Sequence, residues 1–416
     1  MTTDAPNHSV GLVQTQTATV DLPPGGLQLD GGATLPELRI AYETYGSLSD
    51  ARDNAIFICH ALSGDAHVAG YHDPDDVSGT AGWWDQMVGP GKGIDTDHYF
   101  VICANILGGC KGTTGPSSVD LRTGRPYASS FPQITVADIV RAHCLLVRHL
   151  GLERLAAVIG GSFGGMQVLE WVIQEPDMVG RGIPIASAAS LSAQALAFDV
   201  VGRKAITYDA HWRGGNYYDD PTGPAHGLSL ARKIGHITYL SKEMMARKFG
   251  RARGGTASEA TFHSDFQVES YLEHQGRKFV DRFDANSYLH ITHAMDEFDL
   301  IERFGSLEEA FEPVLAKMLV VALSEDWLFP PEQSLQIANA LLHAGKHVSY
   351  CELDAPQGHD AFLINVEHLA DVIRAFLPWV GPRARAGHTG SGARAAAPGA
   401  GERREIRRCQ LLREGD

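Results

Sequence analysis

The segment AAVIGGSFGGMQVLEW, residues 156–171, constrains the fold more than any other part of the chain. An apolar run leads into Ser162, which has glycines on both sides, and an amphipathic stretch with helical spacing follows at once. A strand, a sharp turn and a closely packed helix account for this order, because the glycines let the two backbones approach. The pattern is typical of a nucleophile elbow, in which the serine hydroxyl stands at the N-terminus of the helix.

Short apolar runs alternate with longer amphipathic segments in much of the remaining chain. This alternation predicts an α/β fold with a mainly parallel sheet flanked by helices. We expect strands at residues 37–46, 54–60, 99–105, 155–161, 181–187, 317–324 and 348–353. We expect helices at residues 135–150, 164–175, 331–344 and 360–377.

The alternation stops between about residues 190 and 310, where the sequence turns helical. We therefore expect one core in two parts, 1–188 and 311–380, with residues 189–310 inserted as a helical lid. The remaining residues, 381–416, contain eight arginines, four acidic residues and no aromatic residue. Such a segment cannot bury enough apolar surface to fold, so we expect a disordered tail, with a short helix over 402–412 as the alternative.

Composition excludes several classes of function. The 416-residue chain has a formal net charge of -15, which argues against nucleic acid or an anionic membrane as its main partner. No apolar run approaches the length that spans a bilayer, and no signal sequence is apparent. The six cysteines form no CxxC pair and lie mostly in apolar runs. Free thiols in a reducing compartment follow, so we expect a cytoplasmic protein.

A nucleophilic serine needs a base and a carboxylate that orients the base. In folds with this elbow the three follow in the order serine, acid, histidine, after successive strands. Asp326 comes just after the apolar run KMLVVALS, and His359 lies in a loop between the last predicted strand and the last helix. We predict that these two residues complete a triad with Ser162, with Glu325 as the competitor for the acid.

The negative oxygen that forms when a carbonyl is attacked needs two backbone N–H donors. One comes from the residue after the nucleophile, and the other from the loop after an early strand. These positions predict Phe163 and, in the turn CHALSGDAH, Leu62.

The string HITHAMD places His290, His293 and Asp296 on one helical face with the spacing of metal ligands. No fourth ligand or supporting shell is apparent, so we assign no metal to this chain. We expect the string to line the lid side of the active-site pocket.

Several long strings resemble the homoserine O-acetyltransferase family of the α/β-hydrolase superfamily. They are GGSFGGMQVLEW, NILGGCKGTTGPSS, CHALSGDAHVAG, GRKAI and GHDAF, and the resemblance runs from about residue 27 to 380. It implies an enzyme that acetylates the hydroxyl of L-homoserine from acetyl-CoA by a ping-pong route, on the way to methionine. Acetyl-CoA is then a co-substrate and no cofactor is needed. The resemblance also implies a cytoplasmic homodimer with the lid at the interface.

The resemblance also implies roles for individual residues. Ser162 accepts the acyl group, His359 acts as base and acid, and Asp326 orients it. Arg203 of GRKAI holds the amino-acid carboxylate, and Asp360 binds the amine. A guanidinium and a carboxylate suit the two charges of a zwitterion.

Related members transfer succinyl or accept serine. At the position two after the triad acid, succinyl-transferring members carry an arginine, whereas this chain has Leu328. Leucine cannot pair with the succinyl carboxylate, so acetyl is favoured. The loop KGTTGPSS resembles the homoserine-specific members. An ester or thioester hydrolase and a non-catalytic binding protein remain as alternatives from other classes. For the phosphates of CoA, basic residues around 232–253 are the candidates.

Overall fold

Nine strands form one sheet in the computed structural model of the chain, which describes residues 8–254, 265–378 and 408–411. The strands are β1 (Gln16–Thr19), β2 (Arg39–Tyr45), β3 (Ala55–Cys59), β4 (Phe100–Ala104), β5 (Ala157–Gly161), β6 (Arg181–Ile185), β7 (Lys317–Leu323), β8 (Val348–Leu353) and β9 (Arg408–Leu411). Their order across the sheet is β1-β2-β4-β3-β5-β6-β7-β8-β9. The six central strands, β3 to β8, are mutually parallel. The remaining strands, β1, β2 and β9, pair antiparallel with their neighbours.

Both faces of central strands such as β3 and β5 are buried, which is why these strands are apolar without interruption. In β3, Phe57 and Cys59 point into one apolar cluster, and Ile56 and Ile58 into the other. Alternate residues of a strand face opposite sides, so a strand buried on both sides needs apolar residues throughout. The carboxyl ends of these strands carry the loops in which the elbow and the predicted triad residues lie.

Twelve α-helices occur in the described residues. They are α1 (Val136–His149), α2 (Phe163–Gln174), α3 (Ala193–Thr207), α4 (Ala225–Tyr239), α5 (Lys242–Lys248), α6 (Gln267–Val280), α7 (Ala285–Asp296), α8 (Leu300–Phe304), α9 (Leu307–Phe311), α10 (Pro331–His343), α11 (Ala361–Ile364) and α12 (Glu367–Phe376). Helices α1, α2 and α10 contribute to one apolar cluster, and α12 to the other. None of the helices in the described ranges is both long and apolar enough to cross a membrane.

The observed elements of the main sheet and its helices follow the predicted ones closely, with one division and two unpredicted strands, β1 and β9. The helix expected at 360–377 is two helices, α11 and α12, because Asn365 leaves the helical conformation with φ -138° and ψ 73°. Strand β1 was not predicted, since its sequence QTAT is short and polar. The α/β fold class itself is confirmed.

The chain leaves the sheet after β6 and returns in β7, and helices α3 to α9 lie in between. Helix α4 packs on both α3 and α6, and α7 packs on α3. We call α3 to α9 the lid. The expected tail at 381–416 lies outside the described residues except for β9, which pairs with β8. Those four residues form a strand, and for the rest of the tail disorder stays a prediction.

A buried glutamate joins the N-terminal segment to the sheet. Glu43 on β2 is 0% exposed, and its carboxylate accepts hydrogen bonds from four donors. Thr15 and His72 donate to one oxygen at 2.7 and 2.8 Å. Tyr45 and His67 donate to the other at 2.6 and 2.9 Å. Burial alone would raise the pKa of Glu43, but these hydrogen bonds, first that of His67, lower it to about 2.

The partners of His67 fix its charge. Its Nδ1 faces the Glu43 carboxylate, and its Nε2 lies 2.8 Å from the carbonyl oxygen of Thr80. Both partners are acceptors only, so both ring nitrogens carry protons and the ring is a cation. Burial tends to lower the pKa of His67, but the Glu43 carboxylate outweighs it and raises the pKa. Glu43 and His67 therefore form a buried ion pair.

We predict that Glu43→Gln destabilises the protein most between about pH 4.5 and 6.5. The stabilisation that ionised Glu43 adds to the free energy of unfolding is present above its unfolded pKa of 4.5 and is lost as the pH falls toward 2. The stabilisation that protonated His67 adds is present below its unfolded pKa of 6.5 and is lost as the pH rises through its raised pKa in the folded protein. Breaking a buried pair costs about 3–5 kcal/mol. Thermal unfolding from pH 3 to 9 measures this effect.

The exposed Glu153→Gln is the matched control and should change little. An equal loss of stability at every pH would contradict the ion pair, since an uncharged hydrogen bond has no such window.

Candidate active site

The turn at Ser162 is strained and is held from several sides. The residue lies between β5 and α2 with φ 58° and ψ -125°, a conformation that costs about 1–3 kcal/mol in a residue with a side chain. The Ser162 N–H donates to the carbonyl oxygen of Ile185 at 2.9 Å, and the Ser187 hydroxyl donates to the carbonyl oxygen of Ser162 at 2.9 Å. The side chain is therefore presented at the N-terminus of α2, as the elbow motif predicts.

The glycines of the motif allow backbones to touch. A Cβ atom on Gly164 would lie 2.2 Å from the carbonyl oxygen of Cys59, the last residue of β3. A Cβ atom on Gly160 would lie 2.4 Å from the carbonyl oxygen of Gly164. No side chain fits at either distance. Helix α2 can therefore approach the ends of β3 and β5 only with glycine at both positions.

Asp326 and His359 are brought together. The Asp326 carboxylate lies 2.6 Å from His359 Nδ1 through one oxygen. Its other oxygen accepts from the backbone N–H groups of Leu328 and Phe329 at 3.0 and 2.9 Å. These hydrogen bonds fix the orientation of the Asp326 carboxylate. Because the carboxylate can only accept, a neutral His359 carries its proton on Nδ1. Glu325, the competitor for the acid, is exposed.

The environment of His359 favours its charged form. Burial lowers the pKa of the ring, but the Asp326 carboxylate outweighs this effect and raises it. The ring stacks on Phe329 with centroids 5.2 Å apart and lies 6.0 Å from the ring of Tyr239. Phe329 and Tyr239 also line the pocket that contains Ser162. His359, paired with Asp326, therefore packs directly on two walls of the pocket that Ser162 lines.

This pocket, which we call the inner pocket, has mostly apolar walls. It is lined by Leu62, Ser162, Leu191, Ala195, Phe198, Asp199, Ile234, Gly235, Thr238, Tyr239, Tyr288, Met295, Leu328 and Phe329. The core contributes the serine, and the lid helices α3, α4 and α7 contribute most of the rest. Apolar walls with a few polar groups are typical of sites for small molecules.

Leu62 lies beside Ser162 in a loop that is tied to the elbow. The side chain of Gln167 on α2 donates to the carbonyl oxygen of His60 at 3.1 Å. Burial lowers the pKa of His60, and its neutral ring accepts from the N–H of Ile106 at 3.2 Å. The amides of Leu62 and Phe163 donate no hydrogen bond within 8–254 and 265–378. Both donors are therefore available to a ligand.

Arg203, the residue expected to hold the amino-acid carboxylate, is held in an ion pair within the lid. Its Nη2 donates to Asp296 of α7 in an ion pair. Its Nη1 is buried and has no partner among the described residues. Arg203 does not line the inner pocket, but Asp199, one turn earlier on α3, does.

Asp360 also lies outside the lining of the inner pocket. Its backbone N–H donates to the carbonyl oxygen of Tyr239 at 3.2 Å. Burial raises the pKa of its carboxyl, while His359, Arg232 and Lys248 act to lower it. Leu328, by contrast, lines the inner pocket as predicted.

The lid is attached to both loops that carry the acid and the base. In the segment 239–241, the carbonyl oxygen of Leu240 accepts from the indole of Trp327 at 3.0 Å. The Ser241 hydroxyl donates to the carbonyl oxygen of Pro356 at 2.6 Å. Any movement of this lid segment therefore acts directly on the environment of His359.

A second cavity, which we call the outer cleft, lies on the other side of the Leu62 loop and has a volume of about 510 Å³. Arg232, Lys278 and Arg282 line it. Arg232 donates to the Ser63 hydroxyl at 3.2 Å, and Arg282 donates to the Ser63 carbonyl oxygen at 2.9 Å. Burial, and then the charge of Arg232, lower the pKa of Arg282. Two neighbouring arginines without a salt-bridging carboxylate in the described chain are suited to an anion.

Two groups of histidines and acids, one in HITHAMD and one around Glu43, are engaged in other contacts. His290 packs edge-on against Phe131, with ring centroids 5.2 Å apart, and Asp296 pairs with Arg203. The expectation that HITHAMD lines the pocket holds for Met295. Within the described ranges, one group offers three ligand atoms within 4.8 Å of one another: Glu43, His67 and His72. Both nitrogens of His67 carry protons there, so this group is a hydrogen-bond network.

Sequence reasoning missed Asp199, Lys278 and Arg282. Their importance comes from the packing of lid helices against each other and against the Leu62 loop, and no local spacing reveals that. Basic residues were expected around 232–253, and of these Arg232 lines the outer cleft while Lys278 and Arg282 lie further along the chain.

Comparisons with known proteins agree with this geometry. The family model for the alpha/beta hydrolase fold matches residues 54–366. A homoserine O-acetyltransferase from Desulfotalea psychrophila is 51% identical over 89% of this chain and 96% of its own length. A homoserine O-succinyltransferase from Acidithiobacillus ferrooxidans is 48% identical over 91% of this chain and 98% of its own length.

Solved structures give the same picture. The crystal structure of homoserine O-acetyltransferase from Bacillus anthracis is 30% identical, has a TM-score of 0.80 and is matched over 88% of this chain and 98% of that one. The crystal structure of esterase E22 is 28% identical, has a TM-score of 0.79 and is matched over 88% of this chain and 100% of that one. Similar architectures thus occur under both transferase and esterase names.

We predict that Gly164→Ala destabilises the protein, because its methyl group would lie 2.2 Å from the Cys59 carbonyl oxygen and must push α2 from β3. Such overpacking costs about 1–3 kcal/mol of unfolding free energy. Urea unfolding measures it. Gly31→Ala is the matched control, since nothing lies within 4 Å of its Cβ position. Equal stability of the two variants would contradict the proposed close approach.

Proposed function

We propose that this chain, which belongs to the homoserine O-acetyltransferase family of the α/β-hydrolase fold, transfers the acetyl group of acetyl-CoA to the hydroxyl of L-homoserine. The products are O-acetyl-L-homoserine and CoA. The observation that carries the proposal is that Ser162 and Leu62 line one pocket on whose walls the His359–Asp326 pair packs, in a chain about half identical to relatives of that name.

The first half-reaction forms an acyl-enzyme. His359 Nε2 takes the proton of the Ser162 hydroxyl as its oxygen attacks the thioester carbonyl. The amides of Leu62 and Phe163 donate to the resulting negative oxygen. Asp326 stabilises the His359 cation, which then protonates the departing CoA sulfur as the carbon–sulfur bond breaks. Ser162 is left as an acetyl ester.

The second half-reaction reverses these roles with a new nucleophile. After CoA leaves, His359 takes the proton of the homoserine hydroxyl, and its oxygen attacks the acetyl ester. The same two amides stabilise the negative oxygen, and the proton on His359 returns to the Ser162 oxygen as the product departs. Water would complete a hydrolysis by the same route, so the apolar walls of the inner pocket favour transfer by limiting its access.

Acceptor recognition is proposed to use the two ends of the amino acid. Arg203 Nη1, which has no partner among the described residues, would receive the carboxylate. Asp360 is the residue that the family resemblance implies for the amine. A serine acceptor is the alternative within the family.

The donor is proposed to be acetyl-CoA, although relatives with acetyl and succinyl names are about equally similar to this chain. Leu328 lines the inner pocket beside Ser162. A succinyl group would place a carboxylate there without a cation from Leu328, which is unfavourable in an apolar environment. Acetyl presents only a methyl group.

The outer cleft is proposed to receive the phosphates of CoA. Arg232 and Arg282 contact Ser63, one residue beyond the proposed donor Leu62, so a phosphate bound there would lie near the entrance to the catalytic loop. The chain carries a net charge of -15, so a local cationic surface is needed to hold a polyanion. A cytoplasmic location and a homodimer that uses the lid complete the proposal, both on the family resemblance.

We predict that acetyl-CoA releases CoA rapidly only when homoserine is present, with serine and succinyl-CoA as poorer partners. Ser162→Ala should reduce the release by at least about 10⁴-fold, since it removes the nucleophile. A thiol assay that pairs both donors with both acceptors measures this directly. Equally fast release without homoserine would instead support the esterase alternative that the E22 likeness raises.

We predict that Arg282→Gln raises the KM for acetyl-CoA about tenfold and leaves the KM for homoserine nearly unchanged, since one charge-assisted contact is lost. The exposed Arg277→Gln, on helix α6 just before Arg282, removes the same charge outside the cleft and is the matched control. Steady-state kinetics at two salt concentrations measure both effects. A similar rise in the KM for acetyl-CoA in both variants would indicate long-range attraction of the anionic donor rather than a phosphate site in the outer cleft.

A further inference from the structure

The turn that carries Leu62 is built around the buried ring of His60, the residue that follows β3. His60 Nδ1 lies 2.8 Å from the carbonyl oxygen of the next residue, Ala61. The N–H of Gly64 donates to the same carbonyl oxygen at 2.9 Å. A Cβ atom on Gly64 would lie 2.8 Å from the Cβ atom of His60 and 3.1 Å from its Nδ1, so the turn closes over the ring only with glycine there.

The partners of the other ring nitrogen show where the proton of His60 lies. Nε2 is 3.2 Å from the backbone N–H of Ile106 and 3.2 Å from the side-chain nitrogen of Asn105. The side-chain oxygen of Asn105 accepts from the N–H of Lys111 at 3.0 Å, so the Asn105 amide presents a donor to the ring. Nε2 therefore accepts. Because burial lowers the pKa of His60 and keeps the ring neutral, its one proton is on Nδ1 and is donated to Ala61.

This hydrogen bond acts on Leu62 because the Ala61 carbonyl and the Leu62 N–H belong to one peptide unit. A peptide unit is planar, and in its trans form the carbonyl and the N–H point in opposite directions. The described ranges contain no cis peptide bond. Two donors on the Ala61 oxygen therefore fix the direction of the Leu62 N–H as well. Leu62 itself lines the inner pocket with Ser162.

Other attachments of the loop hold neighbouring peptide units. Gln167 donates to the carbonyl oxygen of His60, one unit earlier, and Arg282 donates to that of Ser63, two units later. Within 8–254 and 265–378, the donors to the Ala61 oxygen are His60 Nδ1 and the Gly64 N–H. The His60 ring is thus the side chain that orients the unit containing the Leu62 N–H.

We propose that His60 is a positioning residue: its Nδ1–H holds the Ala61 carbonyl oxygen and thereby keeps the Leu62 N–H directed at the negative oxygen that forms during acyl transfer. His60 does not line the inner pocket, so it acts through this one peptide unit. A donor that is fixed in advance favours the transition state more than the bound substrate, because the negative charge develops only there. This inference rests on the proposed function, in which Leu62 supplies one of the two donors.

The kinetic test compares His60→Asn with His60→Gln, which each keep one half of the ring's bonding. The asparagine amide replaces Nδ1 and still donates to Ala61, but nothing replaces Nε2. The glutamine amide reaches the place of Nε2 and still accepts from Ile106, but the Ala61 oxygen loses its side-chain donor. We expect His60→Gln to lower kcat about 10²-fold, with both KM values within about threefold of the wild type. His60→Asn should keep kcat within about fivefold.

His143→Gln is the matched control for the loss of a buried imidazole. His143 is a buried residue of α1, its ring centroid lies 4.9 Å from that of Phe57, and neither of its nitrogens has a partner in the described ranges. It makes no bond to the Leu62 loop, so its kcat should stay within about twofold of the wild type. Thermal unfolding of all three variants establishes that the kinetic comparison is made between folded proteins.

A second measurement uses the wild type alone. Neutron diffraction from its crystals locates the ring protons of His60 directly, and we expect a proton on Nδ1 and none on Nε2. A proton on Nε2 would overturn the proposal, since Nδ1 could then only accept. This result does not depend on whether any variant folds.

The proposal is also overturned if His60→Gln keeps the kcat of His60→Asn, or if its loss appears in KM rather than in kcat. Absence of homoserine-dependent CoA release in the wild type would instead remove the proposed function. The same variants would then be compared in the hydrolysis of p-nitrophenyl acetate, in which attack by Ser162 generates the same negative oxygen, and the neutron result would stand unchanged.

Discussion

The contact between the backbone of α2 and the end of β3 is the constraint on which the site depends. Gly164 lies against the Cys59 carbonyl oxygen, and this approach forces Ser162 into a left-handed turn. The loop that follows Cys59 is thereby brought next to the serine, with Leu62 in the inner pocket. One steric fact therefore positions the nucleophile, the helix N-terminus behind it and both proposed donors to the negative oxygen.

The lid completes the site from the opposite side. Its segment 239–241 bonds to the loops that carry Asp326 and His359, and its arginines Arg232 and Arg282 bond to Ser63. The loops that carry the acid, the base and Leu62 thus each have a direct contact with the lid. The inner pocket then suits a small acceptor, and the outer cleft suits an anionic donor.

The core could be predicted from the sequence because its signals are local. The elbow motif, the apolar strands and the order of serine, acid and histidine each follow from a few neighbouring residues, and Asp326 rather than Glu325 meets His359. The lid could not be predicted in the same way. Arg203 was identified by its motif, but its ion pair with Asp296 depends on how α3 packs on α7. Asp199 and Arg282 carry no motif and become significant only through such packing.

The central claim is that Ser162 carries the acyl group between donor and acceptor. Mass spectrometry of the protein after mixing with acetyl-CoA, without acceptor, tests it most directly. The account predicts a mass gain of one acetyl group, located on the peptide that contains Ser162 and removed when homoserine is added. An unmodified protein that still turns over, or an acetyl group on another residue that homoserine removes, would contradict the account.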